Sequence, residues 1–177
     1  MKKTILIILT LFFIGCSNAK TALEITDEYF KKYQSLNNSI LNNLNDMVNL
    51  LELTENQKKE YETILKKQYQ NLEYQIMEEY YKNDLAIVTV KIQVYDYYQA
   101  TIEFNEYYQN NLEEFYINGE KDVIKYNDNR LKALANQTNR ISHLIEIELE
   151  YKENNWHIKQ PTKENLEKLH GIYDYNR

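Results

Sequence analysis

Two stretches of this chain alternate apolar and polar side chains with a period of two, and that constrains the fold more than anything else in the sequence. In Leu85–Tyr95, Ala86, Val88, Val90, Ile92 and Val94 alternate with Ile87, Thr89, Lys91, Gln93 and Tyr95. In residues 144–151, Ile145, Ile147, Leu149 and Tyr151 take one side, and Glu146, Glu148 and Glu150 the other. Successive side chains of a strand point to opposite faces, so both stretches read as strands with one buried face. Between them the period is helical. Asp96 with Gln99 caps a helix over 97–117, which Asn118-Gly119 would stop. A second helix over 122–140 carries Ile124, Leu131, Leu134, Thr138 and Ile141 in register. Each helix covers about 30 Å, one going out and the other returning. The second strand therefore starts near the end of the first and runs antiparallel to it. Asn154-Asn155 is a turn candidate, with Trp156, His157, Ile158 and Lys159 as a short final strand. Thr162 can cap a terminal helix, Lys163–His170, with Gly171 just past its end.

The first half is helical by pattern. Tyr29, Tyr33, Leu36, Ile40, Leu44, Met47 and Leu51 form one apolar stripe over 26–51. Thr54-Glu55-Asn56-Gln57 reads as a capping box opening a second long helix to residue 82. Tyr61, Leu65, Gln68, Tyr69, Leu72, Ile76 and Tyr80 lie along its stripe. Two long helices joined by a short turn should pack antiparallel. The expected architecture is α+β: two long N-terminal helices over 26–82, then strand–helix–helix–strand–strand–helix with a small antiparallel sheet. Outward-facing Glu146, Glu148 and Glu150 would be flanked by Lys91 and by His157 or Lys159.

The N-terminus has a different character. Lys2 and Lys3 precede an apolar run of about 11 residues, too short to span a bilayer and right for a secretory leader. It ends in Phe13-Ile14-Gly15-Cys16, and Cys16 is the sole cysteine. This motif resembles the lipobox of bacterial lipoproteins, with Phe13 where Leu is usual. The resemblance implies a diacylglyceryl thioether on Cys16 and cleavage just before it. Residues 1–15 are then a removed signal peptide, 16–25 a lipidated tether, and 26–177 a single domain. The expected partner is the outer face of a bacterial membrane, reached through the lipid on Cys16; more than one acyl chain gives lasting attachment.

Composition excludes several function classes. Without the leader, 19 basic side chains face 27 acidic ones, a charge of −8 against −6 for the whole chain. Such a domain is a poor general nucleic-acid binder. One cysteine makes no intrachain disulfide or thiolate metal site. Only Gly119 and Gly171 follow the leader, so no glycine-rich phosphate loop exists. His143, His157 and His170 lack ligand spacing, though His143 and His157 would meet if they faced each other across the last two strands. No nucleophile elbow or calcium loop is present. No cofactor or metal is expected.

From Leu85 to Gly171 the pattern resembles bacterial lipoproteins with nuclear-transport-factor-2-like or cystatin-like domains. The residues carrying this are the strand ending at Tyr151, the turn Lys152-Glu153-Asn154-Asn155, the run Trp156-His157-Ile158, and the first strand with its Tyr-rich helix. The resemblance implies a cone-like cavity between sheet and helices, and it brings no catalytic residue.

Seventeen tyrosines are the most suggestive feature. Tyrosine offers an apolar body with a hydroxyl tip, which suits pockets and interfaces. Tyr95, Tyr97, Tyr98 and Tyr108 with Trp156 form the candidate pocket. The expected function is a membrane-anchored extracytoplasmic module that binds a small apolar ligand or an envelope protein without catalysis. One alternative is a small hydrolase or isomerase with Asp96 or one of Glu146, Glu148 and Glu150 as base. Another is a helical oligomeric envelope protein pairing through residues 26–82.

Overall fold

A computed structural model of the protein describes residues 20–176. The leader, its Phe13-Ile14-Gly15-Cys16 motif and the lipid-attachment residue Cys16 lie outside them. Among the described residues, no helix is long and apolar enough to cross a membrane.

Helix α1 (Ala22–Gln34) starts inside the segment expected as a tether, because Thr21 and Glu24 form a complete capping box. It buries Ala22, Thr26, Phe30 and Tyr33. The long helix expected over 26–51 is broken. Leu36 takes a left-handed backbone with φ of 50°, and Asn37 caps a new helix, α2 (Asn38–Asn49), by accepting from the Ser39 amide. The apolar stripe runs through the break because both helices turn it inward, as Tyr33, Ile40 and Leu44 show. Periodicity alone therefore hides the break.

Helix α3 (Glu55–Gln70) opens on the expected Thr54/Gln57 capping box. It does not continue to residue 82. Asn71 caps its end through its side chain on the Lys67 carbonyl, and the chain turns into strand β1 (Glu73–Lys82). The strand carries a bulge: Ile76 pairs with Val90 but Glu78 with Thr89, leaving Met77 extra. Tyr74 and Ile76 lean on the core before it, and Tyr81 lines up with Ala86 after it. The bulge shifts the alternation by one residue, and Leu72, Ile76 and Tyr80 mimic a helical spacing.

Strand β2 (Leu85–Tyr95) forms as expected, with Val88, Val90, Ile92 and Val94 fully buried. Helix α4 (Tyr97–Asn110) follows, capped by Asp96. A 3-10 turn over Leu112–Phe115 then leads to a two-stranded ribbon, β3 (Tyr116–Ile117) and β4 (Glu120–Lys121). Asn118 and Gly119 are its turn, both at positive φ, rather than a helix stop. Helix α5 (Val123–Asn136) returns, shorter than expected at its C-terminal end; Ile124 is 59% exposed and Ile141 belongs to the next strand. Tyr97, Ala100, Leu131 and Leu134 join the main core, while Phe104 and Phe115 pack outside it against Tyr108 and Tyr126.

Strand β5 (Arg140–Lys152) lies antiparallel to β2 from Tyr95 opposite Arg140 to Leu85 opposite Glu150. The turn to β6 (Asn155–Ile158) uses Glu153 and Asn154, one residue earlier than expected. The sheet order is β1-β2-β5-β6. The fold is thus mixed α+β with a small antiparallel sheet; the two long N-terminal helices are replaced by α1, α2, α3 and β1. Glu148 pairs with Lys159 and Glu150 with Lys152 on the outer face, whereas Lys91 stands opposite Leu144. His157 faces Glu150 and His143 faces Ile92, so these histidines do not meet.

Helix α6 (Lys163–His170) is capped by Thr162 and ends at Gly171, φ 74°. Gly171 sits at a junction. The Gln68 amide is fully buried; its Oε1 accepts the Tyr95 N–H at 2.8 Å and its Nε2 donates to the Tyr95 carbonyl at 3.2 Å. The Tyr98 N–H donates to the Gly171 carbonyl at 2.8 Å. A Cβ on Gly171 would lie 2.1 Å from the Tyr95 oxygen and 2.5 Å from Gln68 Nε2. Gly171→Ala should therefore cost about 3 kcal/mol, combining left-handed strain with backbone overlap. Gly119→Ala, with open space around it, should cost about 1 kcal/mol from backbone strain alone. Urea unfolding of the two variants measures the difference.

Candidate functional site

The cone-like cavity expected between sheet and helices is filled, since Val88, Val90 and Ile92 are fully covered. A cavity of about 430 Å³ lies instead among α1, α2, α3, α6 and the Gln160-Pro161 segment. Its floor comes from Tyr33, Ile40, Leu44 and Tyr69, all buried. Lys32, Ser39, Asn43 and Gln160 form an exposed polar rim. Tyr29, Met47, Leu166 and His170 make the walls. An apolar floor below a polar rim is the usual build of a small-molecule site, and the volume is in the usual range.

Local structure places these groups. Tyr29 and Tyr33 are four residues apart on α1, so they share a face. Their rings meet edge to face at 5.2 Å and their hydroxyl oxygens lie 3.2 Å apart. Only one proton can occupy that link, so the second O–H is free to donate elsewhere. Tyr33 also packs edge-on against Tyr69 of α3 at 5.0 Å. The Tyr69 hydroxyl lies 2.9 Å from His170 Nε2, and α6 brings that ring in just before its Gly171 end.

Burial sets the protonation states. Desolvation pushes the Tyr29, Tyr33 and Tyr69 hydroxyls upward, so they stay neutral donors. It pushes the His170 imidazole down to about 4, so this ring is neutral near pH 7. The accessible edge that His170 keeps is part of the cavity wall. Lys32 has no ion-pair partner among the described residues, whereas its neighbour Lys31 pairs with Asp27. The cavity can thus offer hydroxyl donors, a neutral imidazole and one unneutralised ammonium around an apolar floor.

The five aromatic residues expected to form a pocket are not brought together. Tyr97 is core, its hydroxyl donating to the Ile64 carbonyl. Tyr95 stacks on it at 6.1 Å, under the Arg140 guanidinium. Tyr98 packs on Tyr175, and Tyr108 belongs to the distal Phe115–Tyr126 cluster. Trp156 packs on Tyr81 and Tyr151. Asp96 is occupied as a cap, accepting from the Gln99 amide and the Tyr175 hydroxyl. Among the described residues, no group of three or more His, Cys, Asp or Glu side chains could hold a metal ion. The residues that do line the cavity carried a faint signal: Tyr29 and Tyr33 at helical spacing, and Tyr69 in the next helical stripe.

No protein-family model matches the chain, and no curated protein or solved structure is found to be similar to it.

The buried imidazole gives a pH signature. Its folded value, about 4, lies below the ordinary 6.5 of the unfolded chain. As pH falls through 6.5 the unfolded chain binds the proton first, so stability is lost between about pH 6.5 and 4. Replacing His170 with Gln, which can still accept from Tyr69, should remove on the order of 2 kcal/mol of that fall. Chemical denaturation at pH 7 and pH 4.5, comparing wild type with variant, reads this directly.

Proposed function

We propose that the protein is a lipid-anchored extracytoplasmic binding module, without catalysis, whose ligand site is the cavity among α1, α2, α3 and α6. The observation that carries the proposal is that cavity: an apolar floor, neutral hydroxyls and a polar rim at about 430 Å³. The anchor rests on the leader and its lipobox-like motif ending at Cys16. The resemblance to nuclear-transport-factor-2-like and cystatin-like lipoproteins belongs to the same proposal and concerns the class alone. A general-base role gains less support, because Asp96 is engaged as a cap and Glu148 and Glu150 in ion pairs.

Cys16→Ala should abolish incorporation of labelled palmitate and move the protein from the membrane fraction to the soluble one. Retention in the membrane fraction with no change in labelling removes the anchor. Asn43→Trp places an indole at the exposed rim, where folding should tolerate it. Native mass spectrometry should find a small molecule carried by wild type and absent from Asn43→Trp. Identical spectra for the two proteins count against the cavity as the ligand site.

A further inference from the structure

The rim and the floor of the cavity differ in chemistry, and the difference selects a ligand. Ile40 and Leu44 on the floor, with Met47 beside them, give a continuous apolar strip along α2. They recur at spacings of four and three, so they share one helix face. On the α1 side, Lys32 at the rim shares a helix face with Tyr29 and Tyr33, whose hydroxyl oxygens lie 3.2 Å apart. The ammonium of Lys32 has no carboxylate partner among the described residues. The hydroxyl pair has a second proton to donate. The cavity's tyrosines are neutral near pH 7, as phenols ordinarily are, and burial raises their hydroxyls further, so none opposes an incoming negative charge. No Asp or Glu lines the cavity, although acidic side chains outnumber basic ones over the chain as a whole. An acidic protein has placed a carboxylate-free, cation-bearing recess over an apolar strip.

We propose that this cavity binds a single-chain amphiphile with an anionic head group, the head at Lys32 and the Tyr29–Tyr33 hydroxyls and the chain along Ile40, Leu44 and Met47. The proposal rests on the reading of the cavity as a ligand site and specifies the ligand. A neutral molecule of the same shape would leave Lys32 unused. A cationic one would meet repulsion at the rim and find no carboxylate to answer it. A charge-assisted hydrogen bond from an ammonium is stronger than one between neutral groups, so the head group should govern selectivity.

The test uses the full lipidated chain in vesicles, with three photoreactive probes. Each carries the same twelve-carbon chain bearing a diazirine, and ends in a carboxylate, an alcohol or a trimethylammonium group. Labelling of the peptide spanning residues 40–47 is measured by mass spectrometry and normalised to Asn43→Trp, which corrects for partitioning into the bilayer. The carboxylate probe should label at least tenfold more than the alcohol or the cation. Lys32→Gln should bring the carboxylate and alcohol to the same level, and Lys32→Glu should favour the cation. Equal labelling by all three heads in wild type overturns the anionic specificity and leaves the cavity reading standing. Absence of labelling above the Asn43→Trp level by any probe overturns the cavity reading itself.

Discussion

The architecture hangs on a side-chain amide that behaves as a piece of backbone. Gln68 gives both of its amide atoms to the N–H and C=O of Tyr95, as a neighbouring strand would. Such a pair is strong because it is buried, and costly to lose for the same reason: either half left alone would be an unsatisfied polar group. Through it, the helical half of the chain is fixed to the point where β2 ends and α4 begins. Gly171 packs against the same two residues, so α6 is positioned by that contact as well. The cavity follows from this arrangement. Tyr69 is the next residue after Gln68 and His170 precedes Gly171, so the pair bonded across the cavity wall is the immediate neighbour of the junction.

Much of this fold could be read from side-chain order. The strand at Leu85–Tyr95, its antiparallel partner, the out-and-back helices and the final helix all follow from a change of period and a few capping residues. The Thr54, Asp96 and Thr162 caps form as their chemistry requires. The failures have specific physical causes. A bulge at Met77 breaks the alternation of β1 and leaves a spacing that a helix would also satisfy. The break at Leu36 leaves the apolar stripe intact, so only Ser35 and Asn37 mark it. Asn118-Gly119 ends helices and makes tight hairpins equally well, and here its neighbours pair.

The site was less legible than the fold. Tyrosines crowd the middle of the sequence, and their density draws attention there. Those residues scatter into the core, the distal aromatic cluster and the sheet edge. The tyrosines that converge come from α1 and α3, where Tyr33 and Tyr69 meet directly, and α6 adds His170 against Tyr69. Nothing local in the sequence says that His170 will reach Tyr69, 101 residues away. Contacts of that range are set by tertiary closure, and sequence order carries them only through the whole topology.

The junction at Tyr95 also orders events in time. Gln68 lies 27 residues before its partner, so α3 and the β1–β2 hairpin can associate early and locally. Gly171 comes far later, and so does Tyr175, whose hydroxyl closes on Asp96 from 79 residues away. Distant closures are slow because the intervening chain must first be arranged. In a chain synthesised from its N-terminus, the cavity's fourth wall is therefore the last part to arrive. Until then, the tyrosine faces of α1 and α3 stay open to water.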